Sequence, residues 1–262
     1  MNFLKMHAQG NDYVYFDRRE AGLPALKLAS LARAVSCRHT GVGGDGMVML
    51  LPADEEGVDA AFRMWNADGS EAEICGSALR CVTDYLCREL DVRAVNLRTV
   101  AGLRRGELTD NGVRVDMDVP STPQPMHTSF GEGWLVRVGN PHLVLPVPEL
   151  RQADIERMGP RLERSVPGGV NVHLMRMQGA ALEMFTWERG SGLTLACGSG
   201  ACAAARVARE LAPAAALFTV RQPGGKVRVI PDEQGHYWLE GPVSRVCSGR
   251  LCEDFLATLT RP

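Results

Sequence analysis

The chain has 262 residues, 45% of them hydrophobic, and a net charge of −2, enough material for two modest cores. That near-neutral charge gives no electrostatic basis for binding nucleic acid or an anionic membrane surface. No apolar run approaches transmembrane length, and residues 1–17 alternate and carry Lys5, His7 and Asp12, so a signal peptide is not expected and a cytoplasmic location is.

In chain order, residues 2–7 and 13–17 read as strands joined at the turn Gly10-Asn11-Asp12. Pro24 opens a helix expected to run to Ser36. The glycine-rich stretch 41–46 lacks the Lys-Ser/Thr of a phosphate loop, and a strand at 47–51 follows it where a nucleotide fold would place a helix. Alternation marks a strand at 58–65, which leads through Asp68-Gly69-Ser70 to Cys75-Gly76-Ser77. A helix over 78–90 is expected next, with Leu79, Val82, Tyr85 and Leu86 at helical spacing. Strands at 95–100, 102–108 and 112–119 close a first half, 1–119, and Pro120–Pro125 is the linker candidate. The second half, 120–249, reads as strands at 134–138 and 143–147, then a helix over 149–164 broken at Gly159-Pro160. Strands at 170–177 and 181–187, Cys197-Gly198-Ser199 and a helix over 200–212 follow, with later strands at 217–221, 226–230, 236–240 and 243–247. Residues 250–259 carry no clear pattern. Many strands with few helices give an α+β class.

The two halves echo each other. Cys197-Gly198-Ser199 repeats Cys75-Gly76-Ser77, Trp187 falls where Trp65 does, and Glu188 takes the place of Asn66. Gly10-Asn11-Asp12-Tyr13-Val14 resembles Gly139-Asn140-Pro141-His142-Leu143-Val144, in the same order and at similar spacing. Two homologous halves are therefore expected, each offering one cysteine at a helix start. The eight cysteines include no CxxC pair, which argues for reduced thiols over a zinc ribbon or disulfide framework.

A buried cysteine is usually only a small hydrophobe. A cysteine at a helix N-terminus differs, because unpaired N–H groups attract anions and can lower a thiol pKa from ~8.5 to roughly 3.5–7.5. Two such cysteines suit inversion of a stereocentre: one thiolate removes a proton from one face and one thiol returns a proton from the other. The helix starts Gly76/Ser77 and Gly198/Ser199 would cradle the substrate carboxylate and stabilise the carbanion. Pyridoxal phosphate needs a Schiff-base lysine. Only Lys5, Lys27 and Lys226 are present, in strand- or helix-like contexts with no phosphate loop, so no cofactor and no metal is expected.

The stretches NADGSEAEICG, ERGSGLTLACGSGACA, MNFLKMHAQGNDYVYFD, GNPH and PGGKV resemble the diaminopimelate epimerase family, and the resemblance covers essentially the whole chain. It implies a cofactor-independent isomerase that interconverts L,L- and meso-diaminopimelate in lysine and peptidoglycan precursor biosynthesis. The implied fold is two pseudo-symmetric domains, each a strand barrel around a central helix, with the active site in the interdomain cleft. A C-terminal strand at about 250–262 would return to the first domain, and a homodimer is implied. By motif, Cys75 and Cys197 form the acid/base pair. Asn11, Asn66, Gly76, Ser77, Asn140, Asn171, Glu188, Arg189, Gly198 and Ser199 contact substrate, and His142 and Glu188 tune the cysteines. His7 and His173 are read as core histidines. The chain departs from the family's usual CGNGARC by carrying Ser77 and Ala78, and has Cys247 where some members place a dimer-contact Tyr. A related racemase acting on histidine or lysine is the alternative.

Overall fold

The computed structural model describes residues 1–212 and 215–259. In chain order its elements are β1 (Asn2–Ala8), β2 (Asn11–Asp17), α1 (Leu28–Ser36), β3 (Gly46–Leu51), β4 (Ala60–Asn66), β5 (Glu71–Ala72), α2 (Gly76–Glu89), β6 (Ala94–Thr99), β7 (Gly102–Thr109) and β8 (Gly112–Asp116). They continue as β9 (Gln124–Thr128), β10 (Gly131–Val138), β11 (Asn140–Pro146), α3 (Gln152–Glu163), β12 (Asn171–Gln178), β13 (Ala181–Glu188), β14 (Gly192–Thr194), α4 (Gly198–Leu211), β15 (Phe218–Gln222), β16 (Gly225–Pro231), β17 (Tyr237–Gly241), β18 (Ser244–Arg250) and α5 (Glu253–Ala257). Among the described residues no helix is long and apolar enough to cross a membrane.

The chain forms two compact units, Met1–Val113 with Val243–Pro262, and Arg114–Pro242. In the first, β1 pairs antiparallel with β2 and β2 runs parallel to β3. β3 is antiparallel to β4, which pairs antiparallel with β5 and parallel with β6, and β6 is antiparallel to β7. The second unit repeats that scheme step for step with β10 to β16 in place of β1 to β7. The sequence echo is thus a repeat of topology, in an α+β architecture.

Each cysteine helix is the core of its own unit. α2 packs on β1, β2, β6 and β7 and buries every residue from Gly76 to Asp84. α4 packs on β10 to β13 and β15 to β17, burying Gly198, Gly200 to Ala205, Val207 and Ala208. A helix buried all round must have strands about it. The alanines of α4 serve this, since short side chains let strands approach closely. α1 and α3 cover the opposite faces. Leu31, Ala32 and Val35 join Val14, Phe16, Met47 and Met49, while Ile155, Met158 and Leu162 join Leu143, Leu145, Val172 and Leu174. Central strands covered on both sides explain why β3 is a continuous apolar run.

The structure departs from the sequence expectations at four places. Pro120–Pro125 is no free linker: the Ser121 N–H donates to the Arg137 carbonyl, and Gln124 and Pro125 belong to β9 against β10. The first unit's body ends at Val113 and the second at Pro242, short of the expected 119 and 249. The returning strand is β18, residues 244–250, antiparallel to β1 from Asn2↔Arg250 to His7↔Ser244. Residues 253–257 of the expected 250–262 strand are helix α5, and 260–262 lie outside the described residues. Finally, α3 runs unbroken through Gly159-Pro160. A Cβ on Gly159 would lie 2.5 Å from Trp187 Cγ, so the glycine is there for contact. Trp187 Nε1 and the Gly190 N–H both donate to Glu163, at 2.7 and 3.0 Å, fixing the last turn of α3 beyond the proline.

Candidate active site

In the first unit Cys75 is the N-cap of α2, with extended backbone (φ −142°, ψ 117°), and its carbonyl accepts the Leu79 N–H at 2.9 Å. Gly76 and Ser77 form the first helical turn, which holds no acidic side chain, so its positive end is uncancelled. The Cys75 thiol is half-buried, and Asn11 Nδ2 donates to its sulfur at 3.6 Å. Asn66 ends β4 in an exposed turn, its Nδ2 donating to Ser70 Oγ at 3.0 Å. The Ser77 hydroxyl is buried with no hydrogen-bond partner.

An ionic brace holds the strand turn that carries Asn11. Asp12 pairs with Lys5 at 2.6 Å and with Arg38 at 2.7 Å, and Arg38 also reaches Asp45 at 2.9 Å. Lys5 Nζ donates to the Gly43 carbonyl. Burial alone would raise the Asp12 pKa, but hydrogen bonds and charge from Arg38 and Lys5 bring it down to about 2.

In the second unit Cys197 is the N-cap of α4 (φ −131°, ψ 115°) and is only 4% exposed. Its N–H donates to Gln222 Oε1 at 2.7 Å, and its sulfur lies 3.7 Å from Ser199 Oγ. Burial pushes this thiol well above its ordinary range. The nearby Glu188 carboxylate adds to the rise, while the Gly200 N–H and Ser199 hydroxyl oppose it. The expected thiolate-favouring shift is therefore reversed at Cys197: desolvation outweighs the helix terminus. Glu188 is anchored by Thr194 Oγ1, which donates to its Oε1 at 2.7 Å.

The other expected residues of this half cluster at the same ends of β11, β12 and β13. Asn140 opens β11 with its Oδ1 buried and unpartnered, an acceptor open to a donor. Asn171 opens β12 and is 3% exposed; Nδ2 donates to the Pro141 carbonyl at 3.1 Å and Oδ1 accepts the Arg189 N–H at 3.0 Å. Its amide thus ties the start of β11 to the residue that follows β13. The exposed Arg189 donates from Nη1 to the Gly168 carbonyl at 2.9 Å.

His142 is fully buried, with Nδ1 2.8 Å from Nε2 of His173. Burial takes the His142 pKa down to about 3, and that of His173 falls well below its ordinary value for the same reason, so both rings are neutral. His173, read as a core histidine, is thus bonded to the expected site residue His142. The available signal was its position two residues after Asn171, on the same face of one strand. His142, His173 and Cys197 each offer a donor atom, all within 4.8 Å of one another. Such a set suits a soft divalent ion like zinc, though here the two rings bond to each other.

The family model described as diaminopimelate epimerase matches residues 3–123 and 134–246, so each matched stretch carries one helix-start cysteine. The chain belongs to the diaminopimelate epimerase family. The diaminopimelate epimerase of Bacillus velezensis is 38% identical over 94% of this chain and 97% of its own length. That of Bacillus subtilis is 37% identical over the same shares, and that of Zymomonas mobilis 35% identical over 95% and 96%. Among solved structures, a PhzF-family phenazine biosynthesis protein of Bacillus anthracis superposes with a TM-score of 0.73 at 15% identity, over 96% of this chain and 99% of that one. A hydroxyproline epimerase of Agrobacterium vitis gives 0.66 at 19% identity, over 95% and 91%. These two likenesses are of fold, which diaminopimelate epimerases share with proteins of other names.

Proposed function

We propose that the protein interconverts L,L- and meso-diaminopimelate without a cofactor, with Cys75 and Cys197 as acid and base on opposite faces of the α-carbon. The observation that carries the reading is the duplicated helix-start cysteine, the N-cap in each repeat of a helix whose first turns are buried. The α-carboxylate is held by N–H groups at Gly76/Ser77 and Gly198/Ser199, whose partial positive charge stabilises the developing carbanion. Such a two-base transfer requires each sulfur to come within roughly 3–3.5 Å of the reacting carbon. The burial that raises the Cys197 pKa suits that thiol to donate, with Cys75, which receives a hydrogen bond from Asn11, as its acid/base partner. One turnover exchanges the roles.

The rest of the site fits a substrate with a charged group at each end. Arg189 pairs with the distal carboxylate, Glu188 and the open Asn140 Oδ1 take ammonium hydrogens, and Asn66 and Asn171 complete the polar lining. The place of such an enzyme is lysine and peptidoglycan precursor supply in the cytoplasm, as a homodimer. Chiral chromatography after incubation with L,L-diaminopimelate, L-lysine and L-histidine tests the substrate. Conversion of diaminopimelate alone is expected; inversion of lysine or histidine without diaminopimelate would replace this reading with that of a related racemase.

A further inference from the structure

Three adjacent strands carry a line of polar side chains into the base of the second cysteine site. His173 on β12 is directly opposite Thr186 on antiparallel β13, and His173 Nδ1 lies 3.0 Å from Thr186 Oγ1. On the other side β12 runs parallel to β11, where His142 is in register with Asn171, two residues before His173. The diagonal places His142 Nδ1 2.8 Å from His173 Nε2. All three side chains are buried. α4 closes over this face, and a Cβ on Gly200 would lie 2.2 Å from His173 Cε1, so the glycine is what lets the ring occupy its place three residues beyond Cys197.

We infer that His173, steadied by Thr186, is a positioning residue that fixes the tautomer of His142 and thereby the hydrogen-bonding face His142 offers toward Cys197. The argument is a count of protons. Each neutral ring carries one N–H, and each of the two hydrogen bonds needs one donor. If His173 donates from Nδ1 to Thr186, its Nε2 accepts from His142 Nδ1–H, and His142 Nε2 is bare. If the Thr186 hydroxyl donates instead, His173 Nε2–H donates to His142 Nδ1, and His142 Nε2 carries the proton. No other arrangement satisfies both bonds, so the tautomers of the two rings are locked together. Without His173 the link to Thr186 is lost, and only the Val138 backbone carbonyl, which also bonds to the His142 ring, acts on the choice. A partner on one ring nitrogen fixing the behaviour of the other is the general rule for functional histidines. Neither ring takes up a proton in this scheme. Their effect on Cys197 is through an oriented dipole in a dry site, where such dipoles act strongly.

This role rests on the proposed acid/base function of Cys197, but its test needs no substrate. Ring nitrogen-15 spectra of the full chain report the His142 tautomer, and the pH dependence of Cys197 alkylation, read in a Cys75→Ser background, reports the thiol. A single His142 tautomer is expected in the parent protein. In His173→Leu a mixture is expected, with a displaced alkylation profile and kcat/KM lowered roughly five- to tenfold, the factor that goes with one lost hydrogen bond. His173→Gln, whose amide can still meet His142 Nδ1, restores most of both. Thr186→Val serves if His173→Leu fails to fold, with the same displacement at smaller size. An unmoved tautomer and an unmoved alkylation profile, in whichever of these variants folds, would overturn the inference whatever happens to turnover. Displaced readouts with no activity on any diaminopimelate isomer in the parent would leave the inference standing and remove the proposed substrate instead.

Discussion

The side-chain oxygen of Asn171 accepts the backbone N–H of Arg189 at 3.0 Å, while the same amide donates to the Pro141 carbonyl at 3.1 Å. One buried side chain therefore ties the residue that follows β13 to the first residues of β11. Arg189 is exposed, with its guanidinium resting on the Gly168 carbonyl, and is held from behind at its backbone.

Arg189→Leu is expected to lower kcat/KM for diaminopimelate by roughly 10- to 150-fold, the loss of a charge-assisted hydrogen bond worth about 1.5–3 kcal/mol. Thermal stability should hardly change, because surface contacts of this kind contribute little. Steady-state kinetics on diaminopimelate and on any weaker substrate lacking the distal carboxylate decide the matter. An equal loss on both would place Arg189 in a structural role.

Asn171→Ala removes both braces and leaves the Arg189 N–H and the Pro141 carbonyl without them. A destabilisation of about 1–3 kcal/mol is expected, with a fall in kcat/KM. Urea denaturation alongside kinetics checks it; unchanged stability would contradict the bracing role.

Asp12 sets a pH dependence of stability. Its pKa is about 2 in the folded protein against 3.8 ordinarily, so it contributes stability above pH 3.8 that is lost as pH falls through about 2. The size is about 2 kcal/mol, reduced by the raised pKa of neighbouring Asp45, which works in the opposite direction. Asp12→Asn should unfold at lower urea than the parent at pH 6, and the gap should narrow as pH drops below 4. A constant gap would show that the ionic brace does not carry the effect.

Gly200→Ala should destabilise the second unit by about 1–3 kcal/mol, since the added methyl meets the His173 ring at 2.2 Å in a closed core. Differential scanning calorimetry gives the number. Neutral behaviour would mean that α4 can shift without cost.

Much of this was legible in the sequence where the signal was local. Period-two runs such as 58–65 and the glycine-free run 78–90 depend on neighbours in the chain, and the Trp65/Cys75 and Trp187/Cys197 spacings made the repeat visible. Signals of two or three residues, such as β5 and β14, were too short to show a period. Gly159-Pro160 obeyed a local rule that Trp187, distant in sequence, overrides. His173 meets a partner 31 residues away on a parallel strand; its i+2 spacing from Asn171 marks the shared face but not that partner. The raised pKa of Cys197 follows from burial, which the helix-start argument leaves out.

Replacing either cysteine removes one of two acid/base groups. Cys75→Ala and Cys197→Ala should each lower epimerisation by about a thousandfold or more, measured by isomer-resolving chromatography. Near-parental turnover in either would refute the assignment of that residue.

The central claim is that two monoprotic groups serve opposite faces of one carbon, and the isotope content of early reaction mixtures in heavy water tests it most directly. L,L-diaminopimelate is incubated with the parent protein in D2O and quenched at low conversion, and the α-positions of both isomers are read by NMR and mass spectrometry. If one thiolate removes the substrate proton and the other thiol delivers a solvent-derived deuteron, the meso product carries deuterium at the inverted centre while unreacted L,L-diaminopimelate retains its α-hydrogen. Equal deuteration of recovered substrate and product would mean that a single group serves both faces, and would contradict the account.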